Sequence, residues 1–364
     1  MEKNEKGGLM GRSALLEGIP EHDAHRKADG MMHDNKNGID FVIIWVDGND
    51  LEWLKEKNRF SPDEKKFNVN NVRYRDWGIL QYLFRGIEKF APWVRTVHFV
   101  TCGQVPEWLN LDHPKLNFVK HSDYISGEYL PTFSANPIEL NLHRIEGLAD
   151  RFVFFNDDMF LTAPVTEADF FSGDLPRNIA VLNPPTPNRH GISTIIMNDL
   201  GIISDHFSFV SSLRANRKKW FHPIYGVQLL RTLLLLPWRR FLGFYETHLP
   251  SPLLKSTFAE VWEQEEALLK KVSGHRFRDD SDVNQYLMTY WQIAKGNFAP
   301  GDPKIGKMYD VGTQIDTITD AISNQRRKLI CVNDSEQIDD FTDLQARLVK
   351  AFDSILGEKS AFEK

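Results

Sequence analysis

The chain has 364 residues, 41% of them hydrophobic and 26% charged, with a formal net charge of −6. This is enough apolar material for a sizeable core in one large domain or two ordinary ones, and the mild acidity excludes the basic field of a general nucleic-acid binder. The two cysteines, Cys102 and Cys331, exclude a disulfide framework or a cysteine-built zinc site; both end apolar runs and read as buried thiols of a cytoplasmic protein.

Residues 1–37 are rich in Gly, His, Lys, Asp and Asn without any period. They cannot bury enough apolar surface to offset ordering entropy and read as a disordered tail. Glu2, Lys3, Glu5 and Lys6 open the chain with no apolar region behind them, so no secretory signal is expected. No stretch reaches the about 18–20 apolar residues of a spanning helix.

Order is expected from Ile39. Residues 39–46 form a short, nearly continuous apolar run, as suits a strand buried on both faces of a parallel sheet. Similar runs follow at 96–101, 116–119, 152–155, 179–182 and 329–332. Between them, Leu80, Leu83, Phe84, Ile87 and Phe90 keep helical spacing, and Ile138, Leu142, Ile145 and Leu148 give a second stripe. Strand and helix in alternation predict an α/β fold, a mostly parallel sheet with covering helices. Residues from about 200 to 300 read as a helical insertion, with helices over 252–272 and 282–295. A last helix is expected over about 337–356, leaving 357–364 as a tail. The whole is one α/β catalytic domain over 38–356.

Ligands of open α/β sheets bind beyond the carboxyl ends of the strands. Two of these ends are acidic here: Asp47-Gly48-Asn49-Asp50 and Asn156-Asp157-Asp158. Gly48 permits a tight turn beside a ligand, and paired carboxylates hold a hard divalent cation that bridges phosphate oxygens. The plainer reading is that both are only turn formers. Arg73, Arg75 and Arg85 supply forked donors suited to phosphate; a solvated helix face is the alternative. His248 is a candidate acid or base, and Arg278 is expected to open a helix whose N-terminus would favour an anion, although any one of 12 histidines is more often structural.

Taken together, these blocks resemble the Stealth family. That family includes bacterial capsular and exopolysaccharide phosphotransferases and the animal enzyme that places N-acetylglucosamine-1-phosphate on lysosomal glycoproteins. The resemblance runs in order through Ile39-Asp40 to Asp50; Arg73-Tyr74-Arg75-Asp76 to Asn156-Asp157-Asp158-Met159-Phe160; His248-Leu249-Pro250, Lys255, Phe277-Arg278 and Asp282; and Ile330-Cys331-Val332-Asn333-Asp334. The chain departs from the family pattern at Trp77, Ile79 and Gln81.

The resemblance implies a Rossmann-like or GT-A-like fold that moves a hexose- or N-acetylhexosamine-1-phosphate from a UDP-sugar, UDP-GlcNAc among them, to a glycan hydroxyl. UMP leaves. It further implies that Asp157, Asp158 or His248 is the base, and that Asp157, Asp158 and Asp334 lie near Mg²⁺ or Mn²⁺. Arg73, Arg85 and Arg278 would meet the pyrophosphate, and the Asp47–Asp50 turn the nucleoside. Asp76 and Lys255 complete the expected donor-binding set. A GT-A-type glycosyltransferase releasing UDP is the competing enzyme. A non-catalytic sugar-binding protein is a third reading, against which His248, Arg278 and Asp334 argue.

Residues 229–241 carry leucines, Trp238, Arg231, Arg239 and Arg240. They read either as a helix packed in the core or at an oligomer contact, or as a peripheral contact with the inner face of the plasma membrane. The second would serve a lipid-linked oligosaccharide acceptor.

Overall fold

A computed structural model describes residues 38–61, 74–335, 338 and 340–364. The expected tail over 1–37, and Arg73, lie outside the described residues. Gly38–Lys364 forms one compact unit.

In chain order the elements are β1 (Ile39–Ile44), α1 (Leu51–Phe60), α2 (Leu80–Phe90), β2 (Val97–Thr101), β3 (Leu116–Lys120), β4 (Arg151–Phe155) and β5 (Met159–Leu161). Then come β6 (Phe171–Ser172), β7 (Leu175–Asn178), α3 (Ile192–His206), α4 (Leu229–Leu235), β8 (Ser251–Leu254), α5 (Lys255–Gln264), α6 (Glu266–Ser273) and α7 (Tyr286–Lys295). The chain closes with β9 (Ala299–Pro300), β10 (Gly306–Asp310), α8 (Val311–Ser323), β11 (Leu329–Asn333) and α9 (Phe341–Leu356).

The main sheet has the order β3-β2-β1-β4-β8. Its first four strands are parallel, and β8 runs antiparallel to β4 at the edge. All six residues of β1 are buried. Alternate side chains enter different cores, which explains why every residue of β1 but Asp40 is apolar. Ile39, Phe41 and Ile43 enter one core with α2, α8 and α9, while Val42 and Ile44 enter a second with α5 and α7. A smaller sheet, β10-β11-β5, pairs β11 antiparallel to β5. The mixed α/β class is therefore as expected, and the sheets are mostly parallel.

Four local expectations change. The run at 179–182 is buried, but only Leu182 bridges, to Phe244. The N–H groups of Ala180 and Leu182 donate to the Tyr225 hydroxyl and Thr232 Oγ1, so side chains satisfy this backbone where a sheet would have. The helix expected over 252–272 gives up its start to β8, because Pro252 lies on a sheet edge, where no ladder donor is needed. Gln292 covers that edge, accepting from Leu254 N and donating to Pro252 O. The helix expected over 282–295 begins only at Tyr286. Residues 357–364, expected as a tail, are packed: Phe362 is 2% exposed, and Glu363 accepts from Arg85 Nε and Nη2, each at 2.8 Å.

Asp40, fully buried on β1, clamps the centre of the main sheet. It accepts from Arg95 Nε at 2.7 Å and from Ala149 N at 2.8 Å, and lies 3.0 Å from His98 Nε2 on β2. Burial pushes its carboxyl up, but the bonds to His98 and Arg95 outweigh this and hold it below its ordinary value of 3.8. A depressed carboxylate stabilises the fold above the unfolded pKa and loses that contribution as pH falls through the folded one. Asp40→Asn should cost about 3 kcal/mol in denaturant unfolding, because the half-buried Arg95 loses the opposite charge it faces. It should also flatten the loss of stability below about pH 4. An unchanged midpoint would show that the clamp is unimportant.

Candidate active site

The main sheet supplies the location. From β1 the chain builds outward through β2 and β3, then returns to place β4 on the other side of β1. The switch point therefore lies between the carboxyl ends of β1 and β4, the position where α/β sheets bind ligands. Asp47 follows β1 there, and Asn156-Asp157-Asp158 follows β4. The same three residues carry the chain from the main sheet into the smaller one, since β5 starts at Met159. Because β11 is antiparallel to β5, its carboxyl end and Asp334 arrive beside this turn; Val332 N donates to Asp158 O at 2.9 Å. Because β8 is antiparallel to β4, the residues before it arrive there too, and His248 is among them.

His248 Nε2 lies 3.8 Å from Asp158 Oδ2, and its Nδ1 lies 3.2 Å from the Tyr286 hydroxyl. Its backbone has φ +47°. This left-handed conformation costs roughly 1 kcal/mol or more for a residue with a Cβ, and such strain clusters at functional sites. Burial disfavours the imidazolium, yet Asp158, Glu139 and Glu246 together raise its pKa above 6.5. Cys331 Sγ lies 3.2 Å from Asp158 Oδ2, and burial with Asp158 beside it keeps the thiol protonated.

Asp157 is exposed at the tip of the turn, and desolvation by the atoms around it, then Asp158 and Asp76, push its carboxyl up. Asp76 is itself raised by burial and by Asp47. Four acids thus face one another, a surplus of negative charge that suits a cation. Asp158 Oδ1 and Asp334 Oδ2 are buried without hydrogen-bond partners, the kind of orphan acceptor a bound ion satisfies. Among the described residues, the three metal-ligating side chains that converge are Asp158, His248 and Cys331, with ligand atoms within 4.8 Å of one another. The expected set of Asp157, Asp158 and Asp334 is not gathered that tightly, because Asp334 Oδ1 turns to Arg75 Nη1 at 3.4 Å and to Ser335 N at 2.7 Å.

Arg278 lies on a loop, not at a helix start. Fully buried Asp282 builds that loop, accepting from Asn136 Nδ2 at 2.7 Å and Asp279 N at 3.0 Å, with His275 Nδ1 at 2.6 Å. Phe277 stacks on Phe133 at 5.3 Å, fastening the loop to the segment ahead of Glu139. Burial raises the Glu139 pKa, and the charges of Arg278 and His248 pull it back. Arg278, Glu139 and His248 thereby form one electrostatic group.

Other predicted residues have different work. Asp50 caps α1, accepting from Glu52 N and Trp53 N, and its other oxygen takes Gln104 Nε2. Gly48 makes room for the protein's own backbone: a Cβ there would lie 1.7 Å from Tyr74 O. Arg85 is bound to Glu363 and to Leu356 O. Lys255 follows β8 where Leu254 pairs with Arg151, at the amino end of β4 and the opposite edge of the sheet. Its Nζ donates to Leu148 O at 3.5 Å. Glu139, Glu246 and Tyr286 were given no role from sequence. Their signal was faint, since nothing local marks them off from ordinary polar residues beside apolar ones.

Arg85→Ala should lower stability by about 3 kcal/mol, since the Glu363 side chain is 3% exposed and would lose its partner. It should leave the donor KM within about twofold, because no ordered network joins it to the switch point. Arg75→Ala, beside Asp334, should instead cost on the order of 100-fold in kcat/KM. Equal kinetic losses in both variants would contradict this separation.

Residues 73–178 match the description of Stealth protein conserved region 2. A receptor polysaccharide phosphotransferase, WefC of Streptococcus gordonii, is 46% identical over 89% of this chain and 98% of its own length. A capsular polysaccharide phosphotransferase, WcwK of Streptococcus pneumoniae, is 40% identical over 91% of this chain and 99% of its own. An exopolysaccharide phosphotransferase, cps2G of Lactiplantibacillus plantarum, is 38% identical over 90% and 96%. With the four blocks meeting at one seam and relatives matched over almost their whole length, the chain belongs to the Stealth family of polysaccharide phosphotransferases.

Proposed function

We propose that the protein transfers a hexose- or N-acetylhexosamine-1-phosphate from a UDP-sugar to a glycan hydroxyl in capsular or exopolysaccharide synthesis. The observation that carries this reading is the meeting of the Asp157-Asp158 turn, the His248–Asp158 pair, the Arg278–Glu139 pair and the Arg75–Asp334 pair at the switch point. A sheet with that switch point suits a nucleotide-sugar, which supports a Rossmann-like or GT-A-like reading of the fold. An open depression at the ends of β1 and β2, lined by Asp50, Trp53, Arg59 and Gln104, offers a place for the nucleoside.

In the reaction the acceptor oxygen attacks the sugar-linked phosphorus. The new P–O bond forms as the bond to the UMP phosphate breaks, giving a phosphodiester and UMP. The hydroxyl proton passes to the His248–Asp158 pair, where Tyr286 fixes the ring and Asp158 stabilises the imidazolium. Arg278 and Arg75 neutralise charge developing on the phosphoryl oxygens. Asp157 and Asp158 would hold Mg²⁺ or Mn²⁺, which when bound offsets pyrophosphate charge. Glu139 and Glu246 hold the cationic groups in place. The acceptor is a glycan, free or carried on a lipid, and a UDP-sugar consumer belongs in the cytoplasm, where such donors are supplied.

Incubation with a panel of UDP-sugars, a glycan acceptor and Mg²⁺ should release UMP. His248→Ala and Arg278→Ala should each lose 10²–10⁴-fold in turnover with unchanged melting temperature, the range for a positioned acid–base group or oxyanion donor. Release of UDP would instead identify a glycosyltransferase, and near-normal turnover in both variants would remove the assignment.

A further inference from the structure

The segment around α4 has a composition unlike the rest of the chain. Residues 207–245 contain seven Lys and Arg and no Asp or Glu, although the whole chain has 50 acidic residues and a net charge of −6. Arg214, Arg217, Lys218, Arg231, Arg239 and Arg240 are exposed.

The apolar residues within it divide into two sets. Thr232 is fully buried and accepts from Leu182 N at 3.1 Å, while Leu229, Leu235 and Leu236 pack against the second core. Val227 is 69% exposed, Leu230 56%, Leu233 50%, Leu234 73% and Trp238 60%. Leu230, Leu233 and Leu234 lie in α4 at helical spacing, with Val227 and Trp238 at its two ends, so α4 is pinned by one face and presents the other as an apolar stripe. Gly226, in the left-handed region at φ +52°, turns the chain immediately before it.

We propose that this face docks the protein on an anionic lipid surface. Leucines with a tryptophan at the rim suit shallow insertion beside the headgroups, and arginines suit the phosphates beyond them. A two-fold contact between copies would set this acid-free basic patch against itself, whereas anionic headgroups complement it. A burial patch would need no such charge. Docking as such stands apart from the phosphotransfer reading. Its use rests on that reading: His248 follows Arg240 by eight residues, so their Cα atoms lie within about 28 Å even along a fully extended chain. The switch point would then face acceptors held by a lipid carrier.

The test is sedimentation of the full chain with vesicles of phosphatidylcholine, with and without phosphatidylglycerol, at low and high salt. Binding is expected to the anionic vesicles, weakened by salt. Arg239→Gln with Arg240→Gln should lower partitioning roughly 25-fold, about fivefold for each arginine. Leu233→Ser with Leu234→Ser and Trp238→Ala should abolish it. Both sets lie outside the catalytic machinery, so turnover with a soluble acceptor should stay within about twofold. Failure to bind anionic vesicles, or binding untouched by both variants, would overturn the proposal. So would a concentration-dependent dimer that the apolar variant dissolves without affecting vesicles, which would give the face to a second copy. UMP release reports separately on the phosphotransfer reading.

Discussion

The polypeptide leaves the main sheet at Phe155 and enters the smaller one at Met159, with only Asn156, Asp157 and Asp158 between. Backbone groups on both sides of this turn are committed to ladders, so the turn itself has little freedom. Everything else at the seam is placed by strand direction. A strand antiparallel to β5 must bring its carboxyl end there, which delivers Asp334. A strand antiparallel to β4 must bring its amino end there, which delivers His248. Residues separated by up to 287 positions thus become neighbours without any long loop having to fold around a ligand.

The same constraint sets the electrostatics. Asp47, Asp76, Asp157 and Asp158 are forced together at a strand-end crevice, where desolvation and the neighbouring acids raise the pKa values of Asp76 and Asp157. Such a cluster is unstable alone. Its natural complement is positive charge, part of it built in through His248, Arg278 and Arg75, and part to be brought by what binds. The strain at His248 and the unpartnered oxygens of Asp158 and Asp334 belong to the same unfinished balance.

Much of this was legible in the sequence because the signals were local. The β1 run is apolar at every position but Asp40 since both faces are buried, and α2 keeps its stripe because only one face is. The acidic turns were readable as strand ends. What escaped was long-range. Arg85 has the chemistry of a phosphate ligand, and only its approach to Glu363 across the fold reveals otherwise. Gly48 has the look of a ligand-facing glycine, yet Tyr74 fills that space. Lys255 shares a block with His248, but the antiparallel run of β8 carries it to the far edge. Glu139, Glu246 and Tyr286 gain meaning only from the imidazole they surround.

The last eight residues have a practical bearing on how the protein is cut and fused. A designer following the helix pattern would stop at Leu356. That boundary would remove Phe362 from the core beside Phe84 and His113, strip Arg85 of its carboxylate, and break the bond from Lys364 N to Trp108 O. The final turn is a latch that fastens α2 to the end of the chain. An affinity handle butted directly against Lys364 would press on it, so a flexible spacer is the safer joint.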